Sequence, residues 1–322
     1  MVGPAEHAIS CVFKLNRWVC LSKDEVDKVL RAAPRLRSFD TDVQCSFQNS
    51  RTLLAGQGMY SVVHIRRLVV EGFSVDEVTR LARAIHLHPS LQELSIDETP
   101  LDTPAALGAL VDAVISHGMT GLSLALCRLG PHSGTHLARL LRDAPRLSTL
   151  LIDWEDMFNA VSGPIFAGAL RSSSLKILRL DSVHLWEHEG VGTVLVDALV
   201  CHPTVQEISL AHNMIGFDDP QNTVGACLAR LVAANTPSLH TLSLASSDVG
   251  DDALQPVFVA LEINSSLRML FVLGNELSEP YMRDVVLPSL RANSALRKIK
   301  LVLPGNNEPA FLEAEALVAA RQ

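Results

Sequence analysis

Ten times along the chain an apolar residue is followed at +3 and +5 by further apolar residues. The sets are Leu36/Phe39, Ile65/Leu68/Val70, Leu91/Leu94/Ile96, Met119/Leu122/Leu124, Leu147/Leu150/Ile152, Leu175/Leu178/Leu180, Val205/Ile208/Leu210, Leu239/Leu242/Leu244, Leu267/Leu270/Val272 and Leu296/Ile299/Leu301. Their starts lie 29, 26, 28, 28, 28, 30, 34, 28 and 29 residues apart, a spacing that marks an internal repeat. Alternation at +3 and +5 is the period of a strand with one buried face. Ten to fifteen residues later the period becomes that of a helix, as in Leu107/Leu110/Val114, Leu137/Leu140/Leu141, Phe166/Ala169/Leu170, Leu195/Leu199, Phe258/Leu261 and Val286/Leu290. Each unit therefore reads as a short strand plus a helix.

Local signals agree with that division. Ser22 with Glu25 and Ser74 with Glu77 have capping-box spacing, and Thr103 before Pro104 reads as an N-cap with proline in the first turn. Pro34, Pro89, Pro145, Pro203 and Pro237 end the helices and send the chain toward the next strand. A unit of about 28 residues cannot close its own core, so neighbours must stack and share one. Strands then form a parallel inner sheet and helices an outer layer. Helices are wider than the strand spacing, which bends the stack into a horseshoe with the sheet on its concave side.

These residues resemble the leucine-rich repeat proteins of the ribonuclease-inhibitor-like class, whose units carry LxxLxLxxN/C. The resemblance covers Leu36 to Leu303 and implies an α/β solenoid that acts through protein partners. At the Asn/Cys position the chain has Cys127, Asn213 and Asn275, but Phe73, Thr99, Glu155, Val183, Ser247 and Pro304 elsewhere, where less regular turns are expected. One domain, 1–322, is expected: an N-terminal capping unit over 1–35, about ten repeats over 36–303, and a closing helix within 304–322. The resemblance leaves two other functions open: a GTPase-activating protein for a small GTPase, for which no functional motif matches residue by residue, and a substrate-recruiting ubiquitin-ligase subunit, for which residues 1–34 are too few to hold an F-box-like module.

With the first apolar residue of each unit as position one, positions three, five and seven face away from the core. Position seven reads Asp42, Glu71, Asp97, Ala125, Asp153, Asp181, Ala211, Ala245, Leu273 and Val302. Carboxylates on adjacent rungs repel, and a basic partner would relieve them; a solvated sheet face with common aspartates is the plainer account. Met269, Phe271 and Leu273 form an apolar patch rimmed by Lys298 and Lys300, suited to a partner contact or to coverage by the C-terminal cap. Trp154, just after the fifth strand, is a further candidate, and the extra residues of the 34-residue unit, near 214–223, form a candidate binding loop.

Composition narrows the function. Leucine makes up 50 of 322 residues, and the net charge of −8 speaks against a phosphate-backbone ligand, which needs clustered cations. The six cysteines show no CxxC pair, so reduced thiols are expected. Neither a signal peptide nor a spanning segment stands out, which predicts a cytoplasmic protein without membrane contact, read here as a monomer. No phosphate-cradling loop occurs. His184/His188 and His132/His136 have the i, i+4 spacing of metal ligands but no third ligand nearby, and both pairs read as exposed turns. His88, His117 and His202 fall near helix ends, where a cation would complement the dipole. No GxSxG turn or base-activated nucleophile is recognisable, so no catalytic residue, cofactor or metal is expected.

Overall fold

The computed structural model describes residues 21–22, 28, 39–46, 63–188, 190–214, 223–302 and 308–321, with the backbone alone at residues 21, 39–46, 63–65 and 87. The expected first capping unit, its Ser22/Glu25 box, Pro304, the cysteines at 11 and 20, and residues 215–222 of the candidate loop lie outside the described residues. Packing divides the chain into two compact units, Met1–Cys127 and Arg128–Gln322.

In the first unit the strands β1 (Leu21–Ser22), β2 (Phe39–Ser46), β3 (Val63–Glu71), β4 (Glu93–Asp97) and β5 (Gly121–Ala125) pair in sequence order, all parallel. Helices α1 (Val75–Ala84) and α2 (Pro104–His117) connect β3 to β4 and β4 to β5. The second unit repeats the plan. Its strands β6 (Thr149–Asp153), β7 (Ile177–Asp181), β8 (Glu207–Ser209), β9 (Thr241–Ser243), β10 (Met269–Phe271) and β11 (Lys298–Lys300) are also parallel and in order. Between and around them run α3 (Ser133–Asp143), α4 (Ser162–Leu170), α5 (Val191–Leu199), α6 (Thr223–Ala233), α7 (Asp251–Ile263), α8 (Glu279–Tyr281), a π-turn over Met282–Val286, α9 (Leu287–Ala292) and the closing helix α10 (Pro309–Ala319).

The strands from β4 onward occupy positions three to seven or three to five of their repeats. Residues at positions four and six, such as Leu94 and Ile96 or Leu178 and Leu180, are buried, together with the helix faces read from the sequence. Burying one leucine stabilises by about 1.5–3 kcal/mol, so this repeated core dominates the stability of each unit. The capping box at Ser74/Glu77 forms, and Thr103 caps α2 with Pro104 in its first turn.

One register differs from expectation. Asp42 pairs with Arg67 at position three, and it is Ser46 that stands beside Glu71 at position seven. A shift in the ladder between Thr41 and Asp42 sets the register of this eight-residue strand so that Val43 and Cys45, not Phe39, stand beside Leu68 and Val70. Asp42 therefore drops out of the position-seven row.

The turns are more regular than their varied position-nine residues suggest. Asn213 Nδ2 donates to the carbonyls of Leu180 (2.6 Å), Leu210 and Ala211, and its Oδ1 accepts from the amides of Val183 and Leu185 in the preceding repeat. Asn275 does the same for Leu244, Val272, Ser247 and Val249. Thr99 replaces such an asparagine with one hydroxyl that accepts from Phe73 N and donates to Asp97 O. Cys127, Ser247 and buried Glu155 bridge to the preceding repeat as well. Any small donor or acceptor that reaches the previous turn satisfies buried backbone there. At the helix ends, His117 and His202 donate through Nε2 to Leu91 O and Leu170 O. Burial lowers the pKa of His202, so this residue acts as a neutral bridge and not as a cation on the helix dipole.

Candidate functional site

After each strand from β3 to β10 the residue at position eight turns with left-handed backbone. In the first unit Gly72, Glu98 and Leu126 have φ of 66°, 49° and 54°; in the second Trp154, Ser182, His212, Ser246 and Gly274 have 59°, 52°, 56°, 51° and 72°. Their amides extend the ladder past the strand, as in Trp154 N to Asp181 O and His212 N to Ala245 O. Left-handed backbone costs a residue with a Cβ about 1–2 kcal/mol, and the inter-repeat hydrogen bond holds it in place.

In the first unit the open face of the sheet carries Arg67, Glu71, Glu93, Asp97 and, at its edge, Glu98. Burial pushes the Asp97 carboxyl above the usual carboxylate range; Ser95 Oγ, 3.3 Å away, and Arg67 oppose this, while the charges of Glu71 and Glu98 add to it. Asp97 is thus held among like charges.

In the second unit Asp153 and Asp181 flank Arg179. The guanidinium Nε lies 3.3 Å from Asp181 and its NH1 4.0 Å from Asp153. Asp181 Oδ1 also accepts from Ser209 Oγ at 2.6 Å and from Ala211 N at 2.9 Å. Burial still raises its pKa, against the pull of Ser209, Arg179 and Ala211. The expected carboxylate stripe is therefore countered here by a cation of the chain's own, one rung position away, and Arg179 was the signal for it in the sequence.

Further along, Met269, Phe271 and Leu273 are half-buried, and Lys298 Nζ lies 5.3 Å from the Phe271 ring. Lys300 pairs with Glu315 of α10 at 2.9 Å, and Glu315 also accepts from the amides of Leu301 and Val302. Burial works against the Glu315 carboxylate, yet these amides and Lys300 hold its pKa below the usual range. The closing helix thereby covers backbone donors of the last strand, the group most exposed to unwanted pairing. Trp154 is 63% exposed and stacks on His212, with centroids 6.4 Å apart and planes 26° apart. Sequence spacing alone did not reveal that partner, which lies two repeats on at the same position eight.

The histidine pairs do not converge. His184 Nδ1 meets Glu187 at 2.6 Å, His188 Nε2 lies 3.9 Å from Asp156, and among the described residues no group of three or more His, Cys, Asp or Glu stands as a metal site. The turn they belong to seats Trp186 against Gly192, where a Cβ would come within 2.1 Å of the indole. Among the described residues no helix is long and apolar enough to cross a membrane, and Cys201 and Cys227 are free thiols.

No family model matches the chain, and no curated protein sequence matches it. Solved structures do. The leucine-rich repeat protein LegL7 from Legionella pneumophila is similar over 88% of this chain and 98% of its own, at 12% identity and a TM-score of 0.52. A chain of the yeast Rad7–Elc1 complex matches over 90% and 87% at 14% identity and a TM-score of 0.46. The tropomodulin C-terminal domain from Caenorhabditis elegans covers 48% of this chain and 87% of its own, at 17% identity and a TM-score of 0.38. Parallel strands alternating with helices at this repeat length, together with the LegL7 likeness, give the chain the leucine-rich repeat fold, an α/β solenoid.

Proposed function

We propose that the protein is a non-enzymatic scaffold that binds a partner protein through the open face of its sheet. The observation that carries this reading is the row Met269, Phe271 and Leu273, apolar side chains left half-buried at the positions of their repeat that point away from the core. Apolar groups on adjacent rungs gain from being covered, and a protein surface supplies that cover over a wide area. The carboxylates of both units favour a partner with basic character, and free cysteine thiols favour a reducing compartment, the cytoplasm.

The test is reconstitution. A protein retained by the immobilised wild type is purified, and its affinity is measured by calorimetry against the wild type, Phe271→Glu, and Ile263→Asp on the 76% exposed outer face of α7. The expected result is a loss of at least about tenfold for Phe271→Glu with Ile263→Asp unchanged, since a buried interface anchor is worth about 2 kcal/mol or more. The reverse pattern would place binding on the helix layer and overturn the reading.

A further inference from the structure

The two aromatic positions of the second unit differ in what lies over them. Phe271 already has a cation of its own chain, Lys298, 5.3 Å from its ring. Trp154 is the larger and more exposed ring, and among the described residues its ring partner is His212, which is cationic only when protonated. Carboxylates adjoin it along the chain and on the next repeat's turn. Asp153 precedes it on β6, and Asp156 follows two residues later with its side chain 68% exposed. His188, 3.9 Å from Asp156, brings the next repeat's turn alongside, with Glu187 58% exposed. Arg179 is shared between Asp153 and Asp181, while Asp156 and Glu187 face the imidazoles of His188 and His184, which carry charge only when protonated.

An apolar group seated on Trp154 would strip water from Asp153 and Asp156 and return nothing to them. A neutral polar group would leave the ring face unused. An ammonium or guanidinium meets both demands at once: it lies on the negative face of the indole and pairs with the flanking carboxylates. The fixed backbone at Trp154, tied by its amide to Asp181 O at 3.1 Å, holds the ring's attachment in place before a ligand arrives, which lowers the ordering cost of binding.

We infer that the edge of the second unit at Trp154 receives a lysine or arginine from a basic segment of a partner protein, with Asp153 and Asp156 as its counter-charges; this rests on the scaffold reading above. The site is separate from the apolar row on β10, so a partner spanning both places its cation four rungs, about 19 Å at 4.8 Å per strand, from its apolar anchor.

The full chain is titrated to millimolar concentrations with three fluorescein-labelled Gly/Ser nonapeptides carrying arginine, glutamine or leucine at the same three positions, and anisotropy is read. The arginine peptide is expected to bind, more weakly as salt rises from about 0.05 to about 0.2 M, while the other two do not. Trp154→Ala should weaken it at least about tenfold, Trp154→Phe by less, and Asp156→Asn several-fold. Trp154→Asn, a residue that tolerates left-handed backbone, guards against a folding artefact and should match Trp154→Ala. Equal binding of the arginine peptide to the wild type and Trp154→Asn, tighter binding of the leucine peptide, or no binding of any peptide would overturn the inference. A reconstituted partner lost with Phe271→Glu but held normally by Trp154→Asn would also overturn it while leaving the scaffold reading intact.

Discussion

Asp97 and Asp181 hold the same repeat position on the open face, one in each unit, and burial raises the pKa of both. Their surroundings differ. Asp181 is integrated into its repeat stack: Ser209 Oγ and Ala211 N donate to it from the next repeat, and Arg179 stands 3.3 Å away. Asp97 has a hydrogen bond from Ser95 of its own strand, with Arg67 the one opposite charge and Glu71 and Glu98 adding repulsion. A carboxylate at one repeat position can thus tie neighbouring repeats together or sit in unrelieved tension, and the choice lies with the next rung.

The strongest way to break this contrast is to remove what supports the turn behind each aspartate. Asn213, whose five hydrogen bonds join its own turn to Leu180, Val183 and Leu185 on either side of Asp181, should lose about 3 kcal/mol or more on substitution by alanine, because buried amides and carbonyls lose their partners together. Thr99→Ala, with two such bonds, one to Asp97 O and one from Phe73 N of the preceding repeat, should lose about half as much; urea unfolding of both variants reads the difference. An Asn213→Ala loss no larger than that of Thr99→Ala would refute the account of the turns.

Substituting the aspartates themselves is the next test. Asp181→Ala leaves the buried amide of Ala211 without its acceptor and should lower stability by about 1–2 kcal/mol. Asp97→Ala relieves like charges and should leave the melting temperature unchanged or raised. Equal losses at the two sites would erase the distinction.

The smallest effect is in pH. The folded state holds the Asp97 proton more readily than the unfolded chain, so its charge penalises folding at neutral pH, and stability is regained as pH falls through the raised folded pKa toward the ordinary value of 3.8. Asp97→Asn should therefore match or exceed the wild type at pH 7, with the gap closing on acidification. Glu315 has the opposite sign. Its folded pKa is lowered, so its contribution is present above the ordinary value of 4.5 and is lost as pH falls through the folded value. Glu315→Gln should be less stable than the wild type at neutral pH and converge with it in acid. Chemical unfolding across pH 3–7 separates the two, and a common sign would contradict the assignment.

Much of this was legible in the chain. The alternation and its spacing placed the strands from β4 onward, the proline and capping signals placed helix ends, and position seven placed Glu71 and Asp97 on the open face of the first unit and Asp153 and Asp181 on that of the second. Asp42 was misplaced because Phe39 and Val43 are both plausible core residues, and only pairing with β3 selects between them. The roles of Thr99, Ser247 and Glu155 escaped a search for asparagine, since backbone in a buried turn asks for a polar atom within reach and not for one residue type. Nothing local in the sequence links Trp154 to His212.

The sequence by itself determined the repeat, its strand-helix alternation and the residues that line the core, because burial of leucine at a fixed period depends on spacing alone. Tertiary structure decided which carboxylates find a partner, which turns are bridged and which ring lies open. The contacts that tie one repeat to the next join residues 26 or more positions apart, and their energies depend on distances of a few ångströms that only the stacked repeats set.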